Sequence, residues 1–128
     1  MEQYRLSFAR INILLDNIVE IVIDNNVSVS LEMVAELDTF LNNSLPSSFG
    51  LLVNKINHYT YSFEAMMTFA SLVNIKAIAV INYSQSAEEV TTNIIKQRQV
   101  DQLNIKSFSG LDLGYLHATS WLKSQLIK

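Results

Sequence analysis

The sequence predicts an α/β fold: a mostly parallel five-stranded sheet with an N-terminal β-hairpin and four helices, in the order β-β-α-β-α-β-α-β-α. Three observations predict it. Short runs that alternate apolar and polar residues, or are continuously apolar, recur along the chain, and after the second of them each is separated from the next by a segment of helical period. Turn residues punctuate the boundaries, and only three Gly and one Pro are spread over 128 residues, so loops are short. The length matches one ordinary domain, residues 1–128.

The elements follow in order. Tyr4, Leu6 and Phe8 alternate with Arg5, Ser7 and Ala9, a period of two that argues a half-buried strand. From Ile11 the apolar set is Ile11, Ile13 and Leu15, of opposite parity, which places a bulge or bend near Ala9-Arg10 in this first strand. Asp16-Asn17 then suits a tight hairpin turn into Ile18-Val19-Glu20-Ile21-Val22-Ile23. Ser30 is placed to cap a helix, with Glu32 in its first turn and Leu31, Val34, Leu37, Leu41 and Leu45 at helical spacing, stopping before Pro46. Residues 49–56, with Leu51-Leu52-Val53, read as a central strand covered on both faces.

After a polar stretch, Ser62 is placed to cap a second helix whose apolar stripe is Phe63, Met66, Met67 and Ala70. Residues 75–81 form the next buried strand, where Ala77 and Ala79 allow a helix to approach closely. Ser86 and Glu89 have the spacing of a capping box opening a third helix, with Val90, Ile94 and Ile95 on its buried side. Residues 104–109 make the last strand. A final helix from Leu111 carries Tyr115, Ala118, Trp121, Leu122 and Leu126, with Trp121 as the anchor to the sheet.

Composition excludes several function classes. Apolar runs are broken by Asn and Ser well before about 20 residues accumulate, so no membrane span is expected. The N-terminus carries an early acid and no apolar stretch before small residues, unlike a secretory leader. The absence of cysteine removes disulfides, thiolate catalysis and thiolate metal ligation, and makes the cytoplasm the expected compartment. A formal net charge of −3 with no basic run gives counterion release little to work with, so nucleic acid is not an expected partner.

Three stretches carry a family resemblance: Val27-Ser28-Val29-Ser30-Leu31-Glu32 entering a capped helix; Leu51-Leu52-Val53-Asn54-Lys55 leading to a polar turn; and Ile105-Lys106-Ser107-Phe108 followed by Ala118-Thr119-Ser120-Trp121-Leu122. On these residues the chain resembles the SpoIIAA-like group, the fold of STAS domains and of small stand-alone bacterial proteins related to them. The resemblance covers nearly the whole chain and implies a non-catalytic regulatory or protein-interaction module with a protein partner such as a kinase or regulator. In the anti-sigma factor antagonists of the group, a serine in the turn after the central strand is phosphorylated. The stretch in that place here, Asn57 to Phe63, has hydroxyls at Thr60 and Ser62 but lacks the D-S-S-G pattern and its Gly. Ser62 is accordingly the first phosphorylation candidate and Thr60 the second.

Ligands of open α/β sheets meet the loops beyond the carboxyl ends of the parallel strands. That rule collects Asn57, His58, Thr60, Ser62, Asn82 and Ser84 as binding candidates, together with Ser109-Gly110, all of which also suit the plainer task of capping helices and solvating turns. No catalytic constellation is expected: 14 serines supply parts for a triad but no G-x-S-x-G elbow. Nor is a metal or other cofactor, since His58 and His117 lack ligand-spaced partners. Gly110-Leu111-Asp112-Leu113-Gly114 lacks the third Gly of a dinucleotide fingerprint and serves to turn the chain. Glu88 and Glu89 point to different sides of a helix and fit capping. Phe63, Met66, Met67 and Phe69 leave a second reading open, a small-molecule or lipid-binding module. The first strand is expected at a sheet edge, where Ile11, Ile13, Leu14 and Leu15 beside a single charge, Arg10, raise the expectation of a homodimer.

Overall fold

The computed structural model describes residues 2–15, 17–45, 48–69, 74–84, 89, 92, 104–111 and 113–127. Among the described residues, eight strands and three helices follow one another: β1 Glu2–Arg5, β2 Ala9–Leu15, β3 Ile18–Ile23, β4 Ser28–Val29, α1 Leu31–Ser44, β5 Phe49–Lys55, β6 Thr60–Tyr61, α2 Phe63–Phe69, β7 Ile75–Asn82, β8 Ile105–Ser109 and α3 Gly114–Leu126. The main sheet has six strands in the order β1-β2-β3-β5-β7-β8, and β4 and β6 form a separate two-stranded ribbon. β3, β5, β7 and β8 are parallel, while β1 and β2 run antiparallel to their neighbours.

The α/β class and the mostly parallel sheet agree with the sequence reading, but the five-strand count does not. The change of apolar parity near Ala9-Arg10 is a reversal of the chain and not a bulge: Arg5 pairs with Arg10, Leu6 N donates to Ala9 O, and Phe8 at the tip turns into the core. Residues 4–15 therefore make two strands. Either device switches the buried parity, so alternation alone does not choose between them. The irregularity that does occur in β2 lies between Ile13 and Leu15. β2 is also not an edge, because β1 pairs along it; the open edge that prompted the expectation of a homodimer through Ile11 and Ile13 is occupied. The third predicted helix, from Ser86, lies outside the described residues apart from Glu89 and Thr92, both helical.

Helices cover the two faces of the sheet unequally. α1 and α2 pack side by side on one face, over a core that includes Ile11, Val19, Ile21, Leu51, Val53 and Val80. Ser30 caps α1, its Oγ accepting from Met33 N at 3.3 Å, and Val34, Leu37 and Leu41 of the predicted stripe are buried, while Leu31 faces solvent. α2 inverts part of its expected stripe: Ala65 and Phe69 are buried, Met66 and Met67 half-buried, and Phe63 is 65% exposed. Ala70 lies outside the described residues.

The opposite face is covered by α3, which lies over β5, β7 and β8 and buries Ala118 and Leu122 against Leu52, Ala77, Ala79 and Ile81. The small side chains Ala77 and Ala79 permit that approach, as predicted, and Gly50 permits it on β5, where a Cβ would meet Leu122 Cδ2 at 3.2 Å. Trp121 is half-buried with its ring 6.0 Å from that of Phe108, in the anchoring role expected of it. α3 begins at Gly114 and not at Leu111, because Leu113 adopts a left-handed conformation (φ 56°, ψ 29°) that interrupts the helical path.

Candidate functional site

The register of the parallel strands brings their carboxyl ends to one rim. Lys55 stands beside Asn82, and Asn82 beside Ser109, while Gly110 N donates to Asn82 O at 2.8 Å. The turn after β5 is laced to the loop after β3 by the β4–β6 ribbon, in which Ser28 pairs with Thr60 and Val29 with Tyr61, and by Asn26 N donating to His58 O at 2.6 Å. The rim thus gathers the turns at 57–62, 82–84 and 109–110 that the sequence nominated.

Within the rim the six binding candidates have different duties. Asn57 Nδ2 donates to Ile23 O at 2.9 Å and ties the turn to the end of β3. His58 is exposed, its backbone N–H donating to Asn25 Oδ1 at 3.0 Å. Ser62 Oγ accepts from Ala65 N at 3.1 Å, which makes it the N-cap of α2. Asn82 is buried, its Nδ2 donating to Ser107 Oγ at 2.7 Å. Thr60 and Ser84 are exposed. Capping and turn-tying therefore account for Asn57 and Ser62, and His58, Thr60 and Ser84 face solvent.

Two tyrosines brace the turn from within. The Tyr59 and Tyr61 rings meet edge to face at 5.4 Å, Tyr61 continues to Phe69 at 6.1 Å, and Lys55 Nζ stands 5.5 Å from the centre of the Tyr59 ring. Burial pushes the Tyr61 phenol up to about 12 and the Tyr59 phenol well above its ordinary range, with Tyr61 adding to the latter; burial also lowers the Lys55 ammonium. A phenol whose folded pKa exceeds its unfolded one stabilises fully below the unfolded value, near pH 10, and loses that contribution as pH climbs toward the folded value. Denaturation midpoints are thus expected to fall between pH 10 and 12, and to fall less in Tyr61→Phe. Ultraviolet titration showing all five tyrosines ionising together near pH 10 in folded protein would contradict this packing.

A second polar group sits on the α3 face and was not nominated from sequence. Glu20, 6% exposed, is held by Asn12 Nδ2 at 2.7 Å from β2 and Asn54 Nδ2 at 2.9 Å from β5. Asn12 is directly opposite Glu20 in the antiparallel register, and Asn54 lies two residues beyond Leu52, the parallel partner of Glu20. Their side chains share one face because strand residues alternate in direction. Tyr83 and Tyr115 border the group: burial raises both phenols, a hydrogen bond with Asn54 offsets part of that for Tyr83, and the Glu20 carboxylate raises both further. The signal in the sequence was a single acid within an otherwise apolar strand, Ile18 to Ile23.

Among the described residues, no three of the His, Asp and Glu side chains are grouped to hold a metal ion, and no helix is long and apolar enough to cross a membrane. No family model, curated protein or solved structure matches the chain.

Proposed function

We propose that the chain is a non-catalytic interaction module of the STAS-like kind, working in the cytoplasm, with the ribbon side of the rim as its contact surface and phosphorylation at Ser62, or secondarily Thr60, as its control. One observation carries this reading: Ile56 and Phe63, 57% and 65% exposed, flank in sequence the polar turn that holds His58 and Thr60, and Leu31, 47% exposed, follows shortly after β4, the ribbon partner of β6. Large apolar side chains grouped in solvent beside polar ones are the composition of a contact patch, where a few such anchors supply most of the binding energy. A phosphate beside them adds charge and acceptor oxygens at the border of that patch, enough to favour or repel a partner. The partner this reading calls for is a kinase or a regulator.

The test uses protein from its native host. Tandem mass spectrometry is expected to find phosphate on Ser62 or Thr60, removed by phosphatase, and Phe63→Asp is expected to reduce capture of the partner about tenfold or more. An unmodified turn under all growth conditions, with capture unchanged by Phe63→Asp and by Ser62→Asp, would refute the proposal. The small-molecule reading centred on Phe63, Met66 and Met67 is weakened by the solvent exposure of Phe63.

A further inference from the structure

β1 forms one edge of the main sheet, and its residues Glu2–Arg5 are all exposed. The hairpin fixes which of its backbone groups are free. Leu6 N donates to Ala9 O, so Leu6 faces β2, and in an antiparallel ladder successive residues face alternately toward and away from the neighbouring strand. Tyr4 and Glu2 therefore bond to β2, opposite Ile11 and Ile13, while the N–H and C=O of Gln3 and of Arg5 point outward. Edges that stay single are commonly guarded by a proline, an inward-pointing lysine or a bulge. β1 has no proline or lysine, and its pairing with β2 runs without a register shift.

The side chains leave this edge open. Arg5 reaches back over the sheet, its guanidinium paired with both oxygens of the Asp24 carboxylate. Tyr4 lies on the opposite face, where its ring stands 5.2 Å from that of Phe40 on α1 and its hydroxyl donates to the Glu2 carboxylate. Both charges of the strand are thus engaged within the chain, and the Tyr4 and Phe40 rings stand beside the free backbone groups.

We propose that a second copy of the chain docks on this edge, β1 antiparallel to β1 about a two-fold axis, so that one sheet runs through both copies. The register follows from the backbone. With Tyr4 opposite the second copy's Tyr4, every outward group finds a partner: Gln3 exchanges two hydrogen bonds with the second copy's Arg5, and Arg5 two with the second copy's Gln3. Centring on Gln3 carries Arg5 past the end of the other β1, and centring on Arg5 sets two guanidinium groups opposite each other, a destabilising pair. The two Tyr4 residues form a non-hydrogen-bonded pair, in which side chains come closest, and the Phe40 rings flank them on the α1 face. On the other face the Gln3 side-chain oxygen accepts from N–H groups of the second copy's Arg5 that Asp24 leaves spare. Any strand could use the backbone, but an identical one also supplies the aromatic pair and the Gln3–Arg5 match at both ends. So short an edge lies at the small end of specific interfaces, and the dimer is expected to exchange with monomer at micromolar concentration. The contact uses none of the rim residues.

Sedimentation velocity of the full chain, from micromolar to near-millimolar concentration, is expected to show a reversible monomer–dimer equilibrium. Gln3→Pro removes an outward N–H and no bond to β2, so it is expected to weaken dimerisation about tenfold or more and leave the unfolding midpoint in place. Cysteine, which the chain lacks, reads the register. Tyr4→Cys is expected to form a covalent dimer under mild oxidation, because residues directly opposite across the two-fold stand within disulfide reach. Gln3→Cys is offset from its own copy by two residues and is expected to cross-link about tenfold more slowly or less. Should Gln3→Pro fail to fold, the two cysteine variants decide. A monomer at every concentration, dimerisation of folded Gln3→Pro equal to that of the parent, or equal cross-linking of the two cysteine variants would each overturn the proposal.

Discussion

Glu20→Ala is expected to lower the unfolding free energy by about 2–5 kcal/mol, the range for breaking a buried, hydrogen-bonded charged group. The reason is what stays behind. Asn12 and Asn54 each lose the carboxylate that accepts from their Nδ2, and their buried Oδ1 atoms already lack a partner. Glu20→Gln keeps a carbonyl oxygen for one of them and is expected to cost less. Replacing all three residues by leucine removes the polar group as a unit and is expected to recover stability to near that of the parent, since a buried polar set often gives way to apolar packing without loss. Urea unfolding at constant slope measures all three variants. A loss below about 0.5 kcal/mol for Glu20→Ala would mean that water reaches the group freely.

Gly114→Ala is expected to have an effect of the same order, about 3 kcal/mol or more, through a different cause. A Cβ at this position would stand 2.0 Å from Ser109 O and 2.6 Å from Ser109 C, both backbone atoms of β8. Neither can give way without moving the strand or the start of α3. Gly50→Ala is the control: its nearest neighbours are the ends of the Leu122 and Leu126 side chains, at 3.2 and 3.3 Å, which can shift by small rotations. Thermal unfolding is expected to separate the two by several degrees for a domain of this size. Equal loss in both would indicate that the β8–α3 junction relaxes as easily as a side chain.

The elements that were legible in the sequence are those whose burial follows a single period. β5 and β7 pack under helices on both faces and β3 is buried throughout and apolar apart from Glu20, and the boundaries read for all three fall within a residue or so of the observed ones. α1 was legible from Ser30 and the stripe Val34, Leu37 and Leu41. β1 was legible only in part: Tyr4 and Arg5 belong to the strand read from Tyr4, but all four β1 residues are exposed and nothing in them marks the reversal after Arg5. The ribbon of β4 and β6 escaped notice because two-residue strands have no period to read. α2 was placed correctly but rotated: with only seven residues, its buried side rests on Ala65 and Phe69 alone, too few positions to fix a phase.

The rim was legible because strand ends and turn residues mark it locally. The Glu20 group was not, since Asn12, Glu20 and Asn54 come from three strands and only their register joins them. The lone acid in Ile18 to Ile23 was visible, but its two partners 8 residues before and 34 after it were not.

The spatial order of the main sheet, β1-β2-β3-β5-β7-β8, is also the order in which its strands leave the ribosome. Each newly synthesised strand adds to an exposed flank of what already exists, and none must wedge itself between two that have joined. Domains assemble from the N-terminal side as synthesis proceeds. α3 follows all six of these strands in the chain and closes the apolar layer over Leu52, Ala79 and Ile81, so until α3 has been made that layer stays open to chaperones.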